Sequence, residues 1–379
     1  MAAVPFGSAQ AADPIEVNAL LPMTGPLAFY GQGILNGLSA EEPVLNAHGG
    51  INGRPIHFVV SDDQANPQVA VQLTSALVSK GATILIDGGP AATCRATATT
   101  AKNAAVVFCL SAAYDPATDP YSFTTPMSFE AGLAAHIRFF RARGLKRIGF
   151  IIGTDATGQI ADASLTNIMA YPENRDLVVV ARERFGPTDI SVAAQVARVK
   201  AGNPQAVFLA ASGTPLGLIL REMRDAGLVL PTGTIASNQS VQQLVSYGDI
   251  VPNDLELVAA RWAAYDVMLG GPVKDQVAIF RSAMKRAGKE ADGPASIGWD
   301  FGLFIAAGYK KFGPAMTATN LRDYVANLRN EAGICGYYDF ITTPGRGLTA
   351  KDTVVLRWNG ARKTFDPIST AGGTAVLHT

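Results

Sequence analysis

The sequence predicts an α/β protein made of two doubly wound, Rossmann-like layers. Three observations support this prediction. The chain has 379 residues, of which 48% are hydrophobic, and this is enough to bury the cores of two domains. Apolar runs of strand length alternate with amphipathic stretches of helix length. Such repeated strand–helix units require parallel sheets with helices on both faces, because consecutive parallel strands are joined by right-handed crossovers.

The first layer is predicted within residues 13–132. Its clearest helix covers 68–79, where Val69, Leu73 and Leu77 fall on one face. Strands are predicted at 15–21, 56–60, 83–86 and 106–110, with helices at 33–47, 68–79 and 93–102 between them.

The second layer is predicted within residues 133–261. Its strands are expected at 147–152, 177–181, 206–210 and 233–235, and its helices at 159–169, 192–201 and 216–226. The remaining third is of a different kind. It has predicted helices at 274–287, 297–312 and 319–330, followed by a hairpin or edge strands within 345–358.

Composition argues against several classes of partner. The formal net charge is zero and only 16% of residues are charged, so neither nucleic acid nor an anionic membrane surface is expected as a partner. No apolar run approaches the roughly 18 residues that a membrane-spanning helix needs. The chain is therefore not expected to insert into a membrane.

The sequence contains no recognisable catalytic or cofactor motif. There is no GxSxG elbow, no GxxxxGK[ST] phosphate loop and no histidine paired with a plausible nucleophile, so an enzyme is not expected. The glycines at Gly31, Gly33 and Gly37 do not have the spacing of a dinucleotide turn, and no cofactor is expected. A metal site is not expected either, because the four histidines are scattered: His48, His57, His136 and His378.

Residues 1–12 are predicted to be the remnant of a secretory signal peptide. Ala9 and Ala11 have the small-residue spacing of a signal-peptidase site. The mature chain would then begin near Ala12 or Asp13 and work in the periplasm. A disordered Ala-rich terminus, or a sequence added during cloning, is the alternative.

The chain has three cysteines, Cys94, Cys109 and Cys335, and an odd number cannot all pair internally. Cys109 lies in a strand-like run and is interpreted as a small buried hydrophobic residue. A disulfide between Cys94 and Cys109 is left open by the spacing.

The first hundred residues resemble a known family. The segments that carry the resemblance are Pro22-Met23-Thr24-Gly25-Pro26, Phe29-Tyr30-Gly31, Gly49-Gly50-Ile51-Asn52-Gly53-Arg54-Pro55 and Ser61-Asp62-Asp63. Their order resembles the opening of the periplasmic solute-binding proteins of ABC importers, in particular the branched-chain amino-acid (Leu/Ile/Val) receptor type. The resemblance extends over about residues 14–366.

The resemblance implies the type I periplasmic binding fold, in which two lobes are joined by a three-crossover hinge. It places residues 13–132 plus 262–340 in lobe 1 and residues 133–261 plus 341–369 in lobe 2. Residues 370–379 are expected to form a flexible tail. It also implies a monomer that captures a small molecule between the lobes and delivers it to a membrane permease.

In open α/β sheets, ligands bind beyond the carboxyl ends of the strands, near the helix N-termini. The turn after the strand at 83–86 therefore provides candidate ligand-binding residues: Pro90, Ala91, Ala92 and Thr93. The resembled receptors have serines here that hold the ligand's carboxylate, so this chain retains the backbone donors but lacks those hydroxyls unless Thr93 supplies one. The alternative is an ordinary strand–helix turn.

Other lobe 1 candidates follow the strand at 106–110 and the first strand. They are Ser111, Ala112, Ala113, Tyr114, Phe29 and Tyr30. By the resemblance, Tyr114 takes the place of a ligand-binding threonine, and Tyr30 matches an aromatic residue that lies against the ligand. The alternative for Tyr114 is a ring packed in a surface loop.

Lobe 2 is where the chain departs from the amino-acid receptors. Thr157 stands near a position that is often tyrosine, Gly213 and Thr214 stand where an aromatic residue is common, and Ser237 and Asn238 stand where an acidic residue pairs with the ligand's ammonium group. Arg261 and Trp262, at the second crossing, are further candidates. The alternative for Arg261 is a solvated or structural arginine.

These departures predict the class of ligand. A buried ammonium group without a carboxylate partner costs several kcal/mol, and the candidate positions of lobe 2 supply only one acid, Asp155, on a different strand. An aromatic acid, a keto acid or another small organic acid is therefore favoured over an amino acid. A branched-chain amino-acid receptor, or a cytoplasmic amide or ligand sensor of the same fold, is the alternative.

Overall fold

The computed structural model describes residues 13–47 and 50–377. It contains two large sheets covered by helices, which confirms the predicted fold class of two doubly wound lobes. The proposed signal remnant, residues 1–12, lies outside the described residues, as do His48 and His378. Among the described residues, no helix is long and apolar enough to cross a membrane.

The first sheet has five parallel strands in the order β2-β1-β3-β4-β5. Its strands are β1 (Ile15–Leu21), β2 (Ile56–Asp62), β3 (Ile84–Asp87), β4 (Val106–Cys109) and β5 (Ser122–Thr124). The helices between them are α1 (Ala28–Asn46), α2 (Pro67–Ser79) and α3 (Ala91–Ala101). Helix α1 begins five residues before the predicted start at residue 33, so Phe29 and Tyr30 belong to its first turn.

The chain then enters the second lobe through helix α4 (Phe129–Ala142). The elements that follow are β6 (Arg147–Gly153), α5 (Ala156–Met169), β7 (Val178–Phe185), α6 (Ala193–Ala201), β8 (Ala206–Ala210), α7 (Thr214–Asp225), β9 (Thr232–Thr234), α8 (Val241–Tyr247) and β10 (Leu255–Ala260). Strands β6 to β10 are parallel to their neighbours in this series.

The last third of the chain serves both lobes. Its elements are α9 (Tyr265–Met268), α10 (Gly271–Arg286), α11 (Gly293–Phe312), α12 (Ala318–Ala326), β11 (Glu331–Ala332), β12 (Tyr337–Tyr338), β13 (Thr353–Asn359) and β14 (Thr364–Pro367). Helices α10 and α11 pack against α1, and Trp299 of α11 lies in the same core as Val17 and Phe108. Strand β13 instead joins the second sheet, antiparallel to β10.

The second sheet therefore has seven strands in the order β14-β13-β10-β9-β8-β6-β7. The chain passes from the first sheet to the second after β5, returns after β10 and passes again before β13. The residue boundaries drawn for the two lobes remain a prediction.

Local sequence explains where the helices that face the interlobe space begin. Ser128 precedes α4, and its hydroxyl oxygen accepts a 3.1 Å hydrogen bond from the amide of Ala131. Asp155 precedes α5 and accepts a 2.7 Å bond from Gly158. Such side chains satisfy amide groups that have no partner within the helix.

The described part of the expected flexible tail is packed instead. The amide of Leu377 donates to the carbonyl of Ile368 at 3.0 Å, and the Arg138 guanidinium of α4 donates to the carbonyl of Gly372 at 2.9 Å. Gly373 is buried, and its backbone lies so close to Ala135 that an ideal Cβ would be 2.0 Å from that carbonyl oxygen. Two glycines thus let this segment lie directly on α4, so an unpacked tail from residue 370 was the wrong expectation.

The structure also resolves the cysteine pairing that the spacing left open. Cys94 of α3 and Cys109 of β4 form a disulfide, with Cα atoms 5.7 Å apart. Cys335 is free and buried. The disulfide attaches α3 to the strand beside it, and α3 is one of the helices that begin at the interlobe space.

Candidate functional site

A cavity lies between the lobes, where the carboxyl ends of the two sheets face each other. Its empty space is about 850 Å³, part of which is open to solvent. The first part of the chain lines it through Leu27, Tyr30, Gly89, Pro90, Ser111, Ala112, Ala113, Pro126, Met127, Ser128, Phe129, Gly132 and Leu133. The second lobe and α11 contribute Thr157, Phe208, Ser212, Thr234, Ile235, Ala236, Ser237, Val258 and Ile297. We call this space the interlobe cleft.

Seven of the residues predicted from the sequence lie on the wall of the cleft. They are Tyr30, Pro90, Ser111, Ala112, Ala113, Thr157 and Ser237. The Tyr30 hydroxyl donates a 3.0 Å hydrogen bond to the carbonyl of Leu110, and burial raises the pKa of this phenol above its ordinary value. Tyr30 is therefore a fixed, neutral wall of the cleft.

Ala91, Ala92 and Thr93 lie directly behind Pro90, in the first turn of α3, and not on the cleft wall. The Thr93 hydroxyl is buried and lies 2.8 Å from the carbonyl of Pro90 and 3.2 Å from Asp87 Oδ1. It therefore serves its own turn and does not replace the serine hydroxyls of the resembled receptors.

The Tyr114 ring does not line the cleft, contrary to the prediction. It is buried in a small cluster with Cys94, Ala98 and Cys109, and burial raises its pKa. The reason is the conformation of its loop. The amide of Tyr114 bonds to the carbonyl of Ser111 at 3.2 Å, which leaves Ala112 and Ala113 on the cleft wall.

Asn238 does not line the cleft, contrary to the prediction, whereas its neighbour Ser237 does. The Asn238 amide is buried and donates to the carbonyl of Ala211 at 2.7 Å and to Thr234 Oγ1 at 2.8 Å. These bonds hold the end of β9 inside lobe 2. Ser237 faces the cleft, and its hydroxyl lies 2.7 Å from that of Ser212.

Phe29 and Gly213 belong to a contact between the lobes. An ideal Cβ on Gly213 would lie 2.6 Å from the carbonyl oxygen of Pro26 and 3.3 Å from Cε1 of Phe29. Gly213 also has φ +62°, a conformation that favours glycine. Thr214, the next residue, is exposed at the start of α7.

Arg261 and Trp262 are structural residues of the second crossing, not cleft residues. Arg261 is half-buried, with Nη1 4.0 Å from Oδ1 of Asp352. The Trp262 ring packs edge-on against Phe280, with centroids 5.7 Å apart, in the core of lobe 1. The structural alternative given for Arg261 therefore describes its position.

The prediction missed the wall that α4 provides. Phe129, Gly132 and Leu133 lie on one face of its first turns, opposite Phe208 and Val258 of lobe 2. The sequence signals this helix, because Ser128 is a good N-cap residue in front of an apolar run. It does not signal that the first turns face the cleft, because that depends on how the chain crosses between lobes.

A buried arginine that was not predicted holds the first crossing in place. Arg346 donates to the carbonyl of Pro126 and to the carbonyl of Tyr114, both at 2.5 Å. Burial lowers its pKa to about 10. Arg346 thus ties the loop after β4 to the segment that leads into α4.

No charged side chain lines the interlobe cleft among the residues that the structure describes. Two carboxylates, Asp63 and Asp87, are buried behind the Gly89 turn. An ideal Cβ on Gly89 would lie 3.1 Å from Asp63 Oδ2. Burial raises the pKa of Asp63 to about 7 and that of Asp87 to about 6.

Asp87 organises the turn in front of α3. Its carboxylate accepts hydrogen bonds from the amide of Gly89 at 2.9 Å and from Thr97 Oγ1 at 2.6 Å. Asp63 accepts a 2.9 Å bond from the amide of Ala65. Within the described ranges, no group of three potential metal ligands is close enough to hold an ion.

Comparison with known proteins agrees with this architecture. The periplasmic binding protein family matches residues 14–363. A leucine-, isoleucine-, valine-, threonine-, and alanine-binding protein of Pseudomonas aeruginosa is 24% identical over 251 residues, which are 60% of this chain and 62% of that protein. Leu/Ile/Val-binding protein homolog 2 of Brucella abortus is 35% identical over 85 residues, which are 22% of this chain and 23% of that protein. The matched region thus spans less than two thirds of these relatives.

Solved structures share the fold over nearly the whole chain. An extracellular ligand-binding receptor from Rhodopseudomonas palustris HaA2 has a TM-score of 0.81 at 20% identity, covering 94% of this chain and 100% of that one. The branched-chain amino acid transporter substrate binding protein LivJ of Streptococcus pneumoniae, solved with isoleucine, has a TM-score of 0.77 at 16% identity, covering 94% of this chain and 99% of that one. Since the family match runs from residue 14 to residue 363 of a 379-residue chain, the chain belongs to the periplasmic binding protein family.

Proposed function

We propose that this protein is a receptor of an ABC importer. It captures a small carboxylate with an aromatic or other apolar body in the interlobe cleft and presents it to a membrane permease in the periplasm. Family membership supports a receptor that performs no chemistry on its ligand. The single observation that carries the ligand class is the absence of any charged side chain from the described wall of the cleft.

The wall favours a ligand without an ammonium group. Aromatic and aliphatic side chains make up much of it, including Tyr30, Phe129 and Phe208. An ammonium group enclosed here would lose its hydration without gaining a carboxylate partner, which costs several kcal/mol. Asp63 does not compensate, because it lies behind the backbone of Gly89 and its raised pKa of about 7 weakens its negative charge.

A ligand carboxylate is better accommodated, because helix α3 begins at the cleft and no side chain caps it. The first amide groups of a helix have no partner within it and attract anions. Pro90 on the wall marks this start, whereas the start of α5 is already capped by the carboxylate of Asp155. The hydroxyl groups of Ser111, Ser212 and Ser237 add further donors nearby.

A branched-chain amino-acid receptor is the second candidate. It is favoured by the Pseudomonas aeruginosa relative, whose name states that it binds leucine, isoleucine, valine, threonine and alanine. The apolar wall suits such side chains, but the lobe 2 positions Ser237 and Asn238 offer an ammonium group no negative partner.

A thermal-shift experiment separates the two candidates. Ligands that bind only the folded protein raise its melting temperature, and the increase is larger at higher affinity and concentration. We expect benzoate and phenylpyruvate to raise it, and leucine, isoleucine and benzamide to leave it unchanged. A shift with leucine and none with either acid would overturn the proposed ligand class.

A further inference from the structure

The interlobe cleft changes character from one side to the other. In the first sheet, β3, β4 and β5 are neighbours, so their carboxyl ends present the start of α3, the loop at 111–113 and the start of α4 in that order. In the second sheet, β6, β8, β9 and β10 follow one another. The two series run side by side, since α3 approaches α5, and α4 packs against both α5 and β10.

The side of the cleft next to α3 is polar. It offers the start of α3, which no side chain caps, and the hydroxyl groups of Thr157 and Ser212. The side next to α4 is apolar, because Phe129 and Leu133 face Phe208, Ile235 and Val258. The two sides are separated by two strand spacings of the first sheet, or about 10 Å.

Gly132 creates the space on the apolar side. It lies inside α4, where glycine is less favourable than alanine, between Phe129 and Leu133 on the cleft wall. An ideal Cβ at this position would meet only Val258, at 3.6 Å, which is an ordinary contact distance. A Cβ here would therefore contact Val258 on the cleft wall without striking the protein backbone.

The space ends one helical turn further along α4. His136 lies on the same face as Gly132 and packs edge-on against Phe208, with ring centroids 5.4 Å apart. Its Nε2 atom lies 3.3 Å from Oε2 of the buried Glu256. His136 and Phe208 thus form a closed floor below Gly132.

From this geometry we propose that Gly132 is a specificity-determining residue, which keeps open an apolar subsite between α4 and the ends of β8 and β10. The proposal rests on the proposed function and restricts the class of carboxylate that the receptor binds. The carboxylate lies at the start of α3, and the apolar end of the same molecule fills the subsite about 10 Å away. The receptor therefore selects carboxylates whose aromatic ring is separated from the carboxylate by a short spacer.

The test compares phenylpropanoate with benzoate by isothermal titration calorimetry on the full chain. We expect phenylpropanoate to bind more tightly by about tenfold or more, since even one methylene in an apolar pocket is worth about 10- to 200-fold. Gly132→Leu fills the subsite, because helical side chains lean toward the N-terminal turn. It should weaken phenylpropanoate by about tenfold or more and benzoate by less than about threefold.

Two further variants serve as controls. Ala131→Leu adds a large side chain one residue earlier, where the position does not line the cleft, and should change neither affinity. Gly132→Ala should fold at least as well as the natural protein and should show a smaller loss that is also selective for phenylpropanoate. If Gly132→Leu does not fold, the alanine variant decides the question.

A neutral probe separates this inference from the proposed function. Phenylpropanol has no carboxylate and reports on the apolar subsite alone. Binding of phenylpropanol that Gly132→Leu abolishes, with no binding of either acid, would support the subsite and overturn the carboxylate receptor. Binding of both acids, weakened equally or not at all by changes at Gly132, would overturn the subsite and leave the carboxylate receptor standing.

Discussion

The amide of Phe129 donates a 2.9 Å hydrogen bond to the carbonyl of Ala112. This bond joins the first turn of α4 to the loop after β4, although the two residues flank a whole strand in sequence. It brings a cleft-lining loop of lobe 1 into direct contact with the helix that leads into lobe 2. A displacement of α4 would therefore move part of the cleft wall.

The N-cap of α4 provides a test of this coupling. Ser128→Ala removes the acceptor for the amide of Ala131 and should lower the free energy of unfolding by about 1 kcal/mol. It should also weaken ligand binding, because Phe129 and Leu133 then lose their fixed positions. Urea unfolding and calorimetry measure the two effects.

The matched control for Ser128 is Asn66, the N-cap of α2, whose side chain accepts from the amide of Gln68 at 2.9 Å. Helix α2 does not line the cleft. Asn66→Ala should cost a similar stability and leave affinity unchanged. Equal losses of affinity in both variants would argue against the role given to α4.

The contact between lobes at Gly213 provides a second prediction. Gly213→Ala places a Cβ only 2.6 Å from the carbonyl oxygen of Pro26. This contact is too close, so the variant should hold the lobes apart. We expect weaker ligand binding and, by small-angle scattering with ligand present, a larger radius of gyration than that of the natural protein.

Gly227→Ala is the control for backbone strain. Gly227 also has a positive φ, +65°, but an ideal Cβ there has nothing within 4 Å. Both variants carry the strain of this backbone region, about 1–3 kcal/mol, so both should be less stable. Only Gly213→Ala should change the affinity and the radius of gyration. Equal changes in both variants would show that the contact at Gly213 does not control how the lobes close.

The disulfide provides a third prediction. Cys94 and Cys109 are separated by 15 residues, and closing a loop of this length stabilises a protein by about 3 kcal/mol in the chain-entropy description. The double variant Cys94→Ala/Cys109→Ala should lose stability of this order in urea unfolding. A reducing agent should destabilise the natural protein but not the double variant, and equal sensitivity of both would contradict the disulfide's role.

The fourth prediction concerns pH and Asp292, which precedes α11 and accepts a 3.2 Å bond from the amide of Ala295. Burial raises its pKa to about 7, whereas an unfolded aspartate titrates near about 3.9. Between these values the unfolded chain has released a proton that the folded protein retains. The contribution of Asp292 to stability therefore falls as pH rises from about 4 to 7, by at most about 1.4 kcal/mol per pH unit.

Asp292→Asn removes this titration and keeps a good N-cap residue. Its free energy of unfolding should be flatter with pH than that of the natural protein between pH 4 and 7, and the difference between the two should grow in favour of the variant as pH rises. Parallel curves in chemical denaturation at several pH values would show that Asp292 does not titrate with a raised pKa.

Most of the architecture was predictable because its signals are local. The strand at 206–210 coincides with β8, and the predicted strand at 15–21 coincides with β1. Strand β8 is a continuous apolar run, whereas β1 is an apolar run interrupted by Glu16 and Asn18. The predicted start of helix α1 at residue 33 is late, since the first helical turn already begins at Ala28.

The cleft wall was predictable only in part, because the direction of a loop side chain depends on what packs behind it. Tyr114 follows Ala113 directly, yet its ring joins the Cys94–Cys109 cluster while Ala113 faces the cleft. Nothing in the loop's own sequence distinguishes these outcomes, since the decisive neighbours come from α3 and from Arg346, far away in the chain.

The order of residues was sufficient to establish the alternation of strands and helices, the family and the lack of an acidic residue at the lobe 2 positions, since these depend on local periodicity and residue chemistry. The folded chain was needed to show that α4 closes one side of the cleft and that Gly132 lies on its wall against Val258. Such relations arise when segments more than a hundred residues apart, such as Gly132 and Val258, are packed together, and no short-range pattern carries that information.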